Sequence, residues 1–244
     1  MTSEAAENYI QAADELKKKF FGRTAVVFHE PFMRKRDKEF YFAGNVMRQQ
    51  QFDRELLQLL RDTPFVVFGV GIRKQEFKRL FLDTGADQYL PQPVYDLAIM
   101  LMLERYVRYL AQDQVRQIGR VHLESIGARE DAEHQAALSD LLVHGTQFVS
   151  QRVFQSWVVP GCTFTTKSGS HPSEISDLVA RDVFEWTRSA GTTEPKFWPF
   201  LTERFFYAND GRFGDCGLKV FPAAEMEQKL ESTRNSIKAA QQQN

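Results

Sequence analysis

A chain of 244 residues, 43% of them hydrophobic, can bury a full core and is too apolar to be an intrinsically disordered segment. Its formal charge of −1 gives no overall attraction to nucleic acid, so phosphate binding would have to come from local clusters of cations. Two cysteines make no disulfide framework, the start Met-Thr-Ser-Glu is acidic, and the longest apolar run, 97–103, is far below the roughly 20 residues of a membrane helix. The expectation is a cytoplasmic protein with no membrane partner.

In chain order, residues 3–20 place Tyr9, Ile10, Ala13, Leu16 and Phe20 on one helical face, with Gly22 as the stop. Thr24 to His29 is a β-rich run between Gly22 and Pro31 and predicts a buried strand, followed by the cations Arg34, Lys35, Arg36 and Lys38. Helical spacing returns over 51–61 through Phe52, Leu56, Leu59 and Leu60, and Pro64 breaks it. Residues 65–72 are almost continuously apolar, which predicts a central strand covered on both faces. Arg73, Lys74, Lys78 and Arg79 then crowd a short helix or loop, and Pro93 opens a long helix to about Ala111. A strand over 119–124, a helix from about Arg129 to Gly145, an ambiguous stretch 148–159 and a strand over 162–166 follow. A helix begins at Pro172 or Ser173 and turns Ile175, Leu178, Val179 and Val183 inward, with Glu174, Asp177 and Arg181 together on another face. The aromatic segment 197–207 predicts a further helix, and 218–221 a last strand. Strands interleaved with helices give an α/β fold: one sheet flanked by helices in a single domain over 1–222, with a polar helix or tail over 223–244.

The candidate chemistry centres on 119–131. Alternation of Val121 and Leu123 with His122 and Glu124 projects Glu124 past a strand end, where a sheet presents polar groups to a ligand. Asp131 falls in the first turn of the next helix, and Asp177 on a later one. If Glu124, Asp131 and Asp177 converge they can hold Mg²⁺ or Mn²⁺, hard ions that take oxygen ligands; equally, such residues serve as ordinary caps and surface groups. His29 ends its strand where a proton-transfer group would suit the same site, or where a structural histidine would be satisfied. Lys167 could neutralise Asp177 or contact phosphate. Arg34, Lys35, Arg36, Arg73 and Lys74 could track a nucleic-acid backbone or form solvated faces. No Walker loop, Gly-x-Gly-x-x-Gly, Cys-x-x-Cys or His-Glu-x-x-His sequence is present, so nucleotide-fold and structural-zinc roles have no support.

Taken together, Val-Val-Phe-His-Glu (26–30) with Arg-Lys-Arg (34–36), Val-Gly-Ile-Arg-Lys (70–74), Leu-Glu-Ser-Ile-Gly-Ala-Arg-Glu-Asp (123–131), His-Gly-Thr-Gln-Phe-Val (144–149), Phe-Thr-Thr-Lys (164–167) and Gly-Leu-Lys-Val-Phe-Pro (217–222) resemble the domain of unknown function 3800 family. The resemblance extends to the helix Pro172 to Ala180, which keeps the family's Asp at Asp177 and lacks its Gly-Leu-Gln. It implies an RNase H-like mixed sheet and metal-dependent phosphodiester hydrolysis, with Glu124, Asp131 and Asp177 as metal ligands. The family's first strand carries Asp-Glu-Ser-Gly, which occurs nowhere here, so the sheet is expected to lack its first hairpin. That first-strand Asp bridges the two ions, and its loss disables ordinary two-metal chemistry. Three accounts remain open: a truncated frame, an inactive relative kept for binding nucleic acid or a partner protein, or a subunit completed by another chain. A defence or mobile-element setting would suit them. An open strand edge, or the rings of 197–206, would favour homo-oligomers. The two expectations are therefore a catalytically impaired binding protein and, alternatively, an active metal-dependent nuclease.

Overall fold

Thr2 starts the first helix, α1 (Ser3–Phe21), by accepting the Ala5 N–H on its hydroxyl at 3.2 Å, and Gly22 ends it in the left-handed region at φ 71°. In the computed structural model, residues 1–78, 94–112, 116–166, 169, 171–189, 191–195, 197–207 and 216–221 are described. The chain divides into two compact units: one from Met1–Val66, Thr166–Glu185 and Pro195–Arg204, the other from Val67–Thr165, Trp186–Glu194 and Phe205–Asn244. The fold is mixed α/β, with helices predominating and short parallel strands.

In the first unit α1 packs against α3 (Val46–Asp62), which Asn45 caps by accepting the Arg48 N–H at 2.9 Å. Between them lie α2 (Glu30–Lys35) and a 3-10 segment, Lys38–Gly44. The abundance of phenylalanine has its use here. The Phe52 ring, fully buried, is met by Phe20 at 5.3 Å, Phe21 at 5.4 Å, Phe42 at 5.4 Å, and Phe28 and Phe40 at 5.8 Å. Such ring pairs add about 0.5–1.5 kcal/mol each beyond the area they bury. Residues Ser173–Glu185 of α8 (Ser173–Arg188) and the short α9 (Trp198–Thr202) complete the unit, with Ile175, Leu178, Val179, Val183, Trp198, Phe200 and Leu201 buried.

The second unit contains two sheets, each of two parallel strands among the described residues. β1 (Gly69–Ile72) pairs with β4 (Leu218–Phe221) in the register Gly69 to Leu218, and β2 (Gly119–Glu124) pairs with β3 (Val158–Thr165), with Glu124 beside Thr165. Helix α4 (Lys74–Phe77) is a single turn after β1. Helices α5 (Val94–Leu110), α6 (Ala128–His144) and α7 (Gln151–Trp157) share a core in which Leu103, Val107, Leu138, Phe154 and Val158 are buried. Parallel pairing requires the long helical crossovers that the α5 to α7 segments supply.

Several expectations are corrected. Thr24 to His29 forms no strand with another described residue. The Phe28 N–H is given to the Glu174 carboxylate at 2.6 Å, and the His29 N–H folds back on Val27 O at 2.8 Å, so neither donor remains for a neighbouring strand. The stretch 65–72 forms a strand only from Gly69; Val67 makes an isolated bridge to Phe205. The strands therefore occupy two small sheets instead of one. The expected helix over 197–207 shrinks to Trp198–Thr202, and most of its rings are core: Trp198, Phe200, Phe205 and Phe206 are buried and Phe197 is half-buried, which removes the four buried rings as a base-stacking or dimer face. The ambiguous stretch 148–159 resolves into α7 leading directly into β3. Lys167, Arg79 and the tail 223–244 lie outside the described residues.

Candidate functional site

The first unit brings two sequence candidates together. His29 is the N-cap residue of α2, and its Nδ1 lies 2.9 Å from Asp177 Oδ2 on α8. The same oxygen accepts the Glu30 N–H at 3.0 Å. An ionised carboxylate can only accept, so in this contact His29 Nδ1 donates to Asp177. Both side chains are about one-quarter exposed, at 26% and 23%. The Phe32 ring stands edge-on to the imidazole, 4.7 Å between centroids, and Lys38 Nζ sits 3.7 Å from the centre of that ring. Next to Asp177 is a small cavity, also lined by Val27, Phe28, Gly169, His171, Ser173 and Glu174, of about 10 Å³, room for a single water. His171 Nδ1 accepts the Ser173 N–H at 3.1 Å.

Beneath this dyad lies a group that the sequence reading passed over. Lys17 of α1 is fully buried and bonds both oxygens of Glu174, at 2.8 and 3.1 Å. Glu174 also accepts the Tyr9 hydroxyl at 3.0 Å and the Phe28 N–H at 2.6 Å. Burial pulls the Lys17 ammonium below its ordinary range against the opposing pull of Glu174, while burial, then the charge and hydrogen bond of Glu174, hold the Tyr9 hydroxyl well above its own. The signal was in the spacing: Tyr9, Ala13, Lys17 and Phe20 fall on one face of α1, so a lysine there must meet a carboxylate.

The cations of 34–38 are divided. Arg36 forms a two-pronged pair with Asp53, at 3.1 and 2.7 Å, and Arg34 Nε is 3.0 Å from Glu30, so both are engaged by carboxylates. Lys35 and Lys38 are exposed and form no ion pair with another described residue. The 3-10 segment that begins at Lys38 packs on α2 and leaves the Tyr41 ring 63% exposed.

In the second unit Glu124 is exposed at the C-terminal end of β2. Asp131, in the first turn of α6, accepts the Ser125 hydroxyl at 2.6 Å on one oxygen and the Ile126 N–H at 3.1 Å on the other. It fastens the loop that turns β2 into α6. Cys162 of β3 donates to Gln135 at 3.1 Å, and burial, with Asp131's charge second, raises its thiol. Arg73 pairs with Glu76 at 2.6 Å, and Lys74 is exposed at the start of α4.

Both oxygens of Asp131 and the Oδ2 of Asp177 already accept protein donors that would compete with an ion for the same lone pairs. Among the described residues no three His, Cys, Asp or Glu side chains gather as an ion-holding group. No helix among them is long and apolar enough to cross a membrane. Compared with protein-family models, with curated proteins and with solved structures, the chain matches none.

Proposed function

We propose that this chain binds single-stranded nucleic acid through the α2 and 3-10 segments of its first unit, as a catalytically impaired relative of RNase H-like nucleases. The observation that carries the reading is the pairing, on adjoining segments, of two exposed lysines with no ion pair to another described residue, Lys35 and Lys38, with an exposed ring, Tyr41. Cations that meet phosphates and an aromatic face on which a base can stack are the two ingredients of strand binding without sequence preference. The impairment is supported by the internal duties of Asp131 and Asp177, which hold protein donors.

A metal-dependent nuclease is the second reading, favoured by Glu124 alone: an exposed carboxylate at the C-terminal end of a parallel strand is where such sheets present groups to ligands. The test of the first reading is fluorescence anisotropy with a labelled single-stranded 12-mer of RNA and of DNA. Binding by the unaltered protein, weakened about tenfold or more in Lys35→Glu/Lys38→Glu and in Tyr41→Ala, is the expected result, since stacking alone is worth about 1–3 kcal/mol per base. Binding that both variants leave unchanged would overturn it.

A further inference from the structure

We infer that the base-binding surface begun by Tyr41 continues across the next turn onto Val46 and Met47 and seats two successive unpaired bases of one strand; the inference rests on the strand binding proposed above. Tyr41, Val46 and Met47 are 63%, 60% and 71% exposed. Among the described residues of the first unit, only Met1 and Phe184 are also exposed large apolar side chains. Isolated exposed apolar residues are ordinary, whereas a cluster of them in so short a stretch of chain makes a patch.

The backbone brings the three together. The Asn45 N–H closes on Phe42 O at 3.0 Å, which holds the ends of this turn within about 7 Å, and Tyr41 and Val46 are the residues immediately outside it. Both flanks stand on one ring: Phe42 lies 6.3 Å from Phe20, and the Arg48 guanidinium lies 5.9 Å from Phe20 while donating to its carbonyl at 2.9 Å. On either side of Tyr41, Phe40 and Phe42 turn their rings to Phe52 and anchor the segment. Inside the turn Phe42, Ala43 and Gly44 have φ of 51°, 50° and 75°, the left-handed region that disfavours the first two. Strain of this kind is kept where packing enforces it, and it gathers at binding surfaces.

Charge decides what the patch takes. Residues 40–52 contain no carboxylate, the carboxylate of Glu39 is paired with Arg23 at 2.6 Å, and the exposed cations Lys38 and Arg48 flank the patch in the chain. An anionic ligand with flat apolar faces fits this arrangement: its phosphates meet the cations and one base lies on the Tyr41 ring. The next base lies on Met47, whose polarisable thioether packs well against an aromatic face, with Val46 beside it. Bases inside a duplex have their faces covered by the stack, so the site takes single strands.

The experiment uses the full chain and labelled 12-mers of an abasic deoxyribose-phosphate backbone carrying one adenine or two adjacent adenines, beside an ordinary single-stranded DNA 12-mer. Fluorescence anisotropy reads the affinities. A choice between two equivalent bases on one ring gives about a twofold gain by statistics alone, so the gain expected from the second adenine is about fivefold or more. That gain should shrink to about twofold in Val46→Ser/Met47→Ser and be kept in Met47→Leu, which preserves an apolar face. A gain of about twofold or less in the unaltered protein overturns this inference and leaves strand binding through Tyr41 and the lysines standing. A gain undiminished in Val46→Ser/Met47→Ser overturns it too, because the second base then lies elsewhere. Failure of the ordinary 12-mer to bind overturns the proposal on which this one rests.

Discussion

At the scale of single residues the decisive feature is a buried charge pair. Lys17, with no exposed surface, answers Glu174, and the carboxylate's remaining bonds go to Tyr9 and the Phe28 backbone. Removing one partner leaves the other charge stranded in the interior, so Lys17→Met is expected to cost about 3–5 kcal/mol in urea unfolding. Lys17→Met/Glu174→Met should cost less, about 1–3 kcal/mol, because it strands only the Phe28 N–H and the Tyr9 hydroxyl. Tyr9 gives a pH signature. Its hydroxyl is held above its ordinary value of 10.0 in the fold, so the folded protein keeps a proton that the unfolded chain loses above that pH. The Tyr9 contribution is therefore complete below pH 10 and is lost as pH rises beyond it. Relative to Tyr9→Phe, the protein should lose up to about 1.4 kcal/mol per pH unit above 10. Parallel stability curves for the two proteins in that range would contradict the assignment.

At the scale of elements, two glycines with similar φ do unequal work. Gly22 ends α1 at φ 71° with open space where a side chain would stand, whereas Gly145 ends α6 at φ 73° with the Gln151 N and Val149 O of the following turn in the way. Gly22→Ala should cost only the left-handed strain, about 1–2 kcal/mol. Gly145→Ala adds a collision with backbone at 2.6 Å that no rotamer can relieve, and should cost distinctly more. Thermal unfolding of the pair checks the order. The same scale explains why Thr24 to His29 pairs as no strand at its end: its composition is β-rich, but the Phe28 and His29 donors are claimed by the Glu174 carboxylate and by the Val27 carbonyl.

At the scale of the whole molecule a formal charge of −1 makes any strand binding local. Affinity for single-stranded RNA should fall with salt as the contacted phosphates release their counterions. Replacing Lys35 and Lys38 together should flatten the slope of log K against log salt by about 1.4, at ~0.7 per contact. An unchanged slope would mean the two lysines do not meet phosphates. Among the described residues each strand has one partner, so four strand edges are open to a helix, a loop or another chain. Self-association through such an edge should appear in light scattering as a mass above that of one chain, rising with concentration.

What the sequence determined by itself is the set of periodic elements and their caps. The 3.6-residue pattern and its punctuation marked α1, α3, α5, α6 and α8, and alternation marked β2, because these depend on neighbours along the chain. It also singled out His29 and Asp131 as polar groups at the ends of elements, and Asp177 on a later helix. Which donor each would meet was decided only by the tertiary structure. Asp177 meets His29, 148 positions away, and Lys17 meets Glu174 across 157. Pairings at such separation have no local signature, and a buried ion must find its partner wherever packing delivers one. The same reason divides the strands into two sheets: a ladder depends on which backbone donors remain unclaimed once the helices and buried carboxylates have taken theirs.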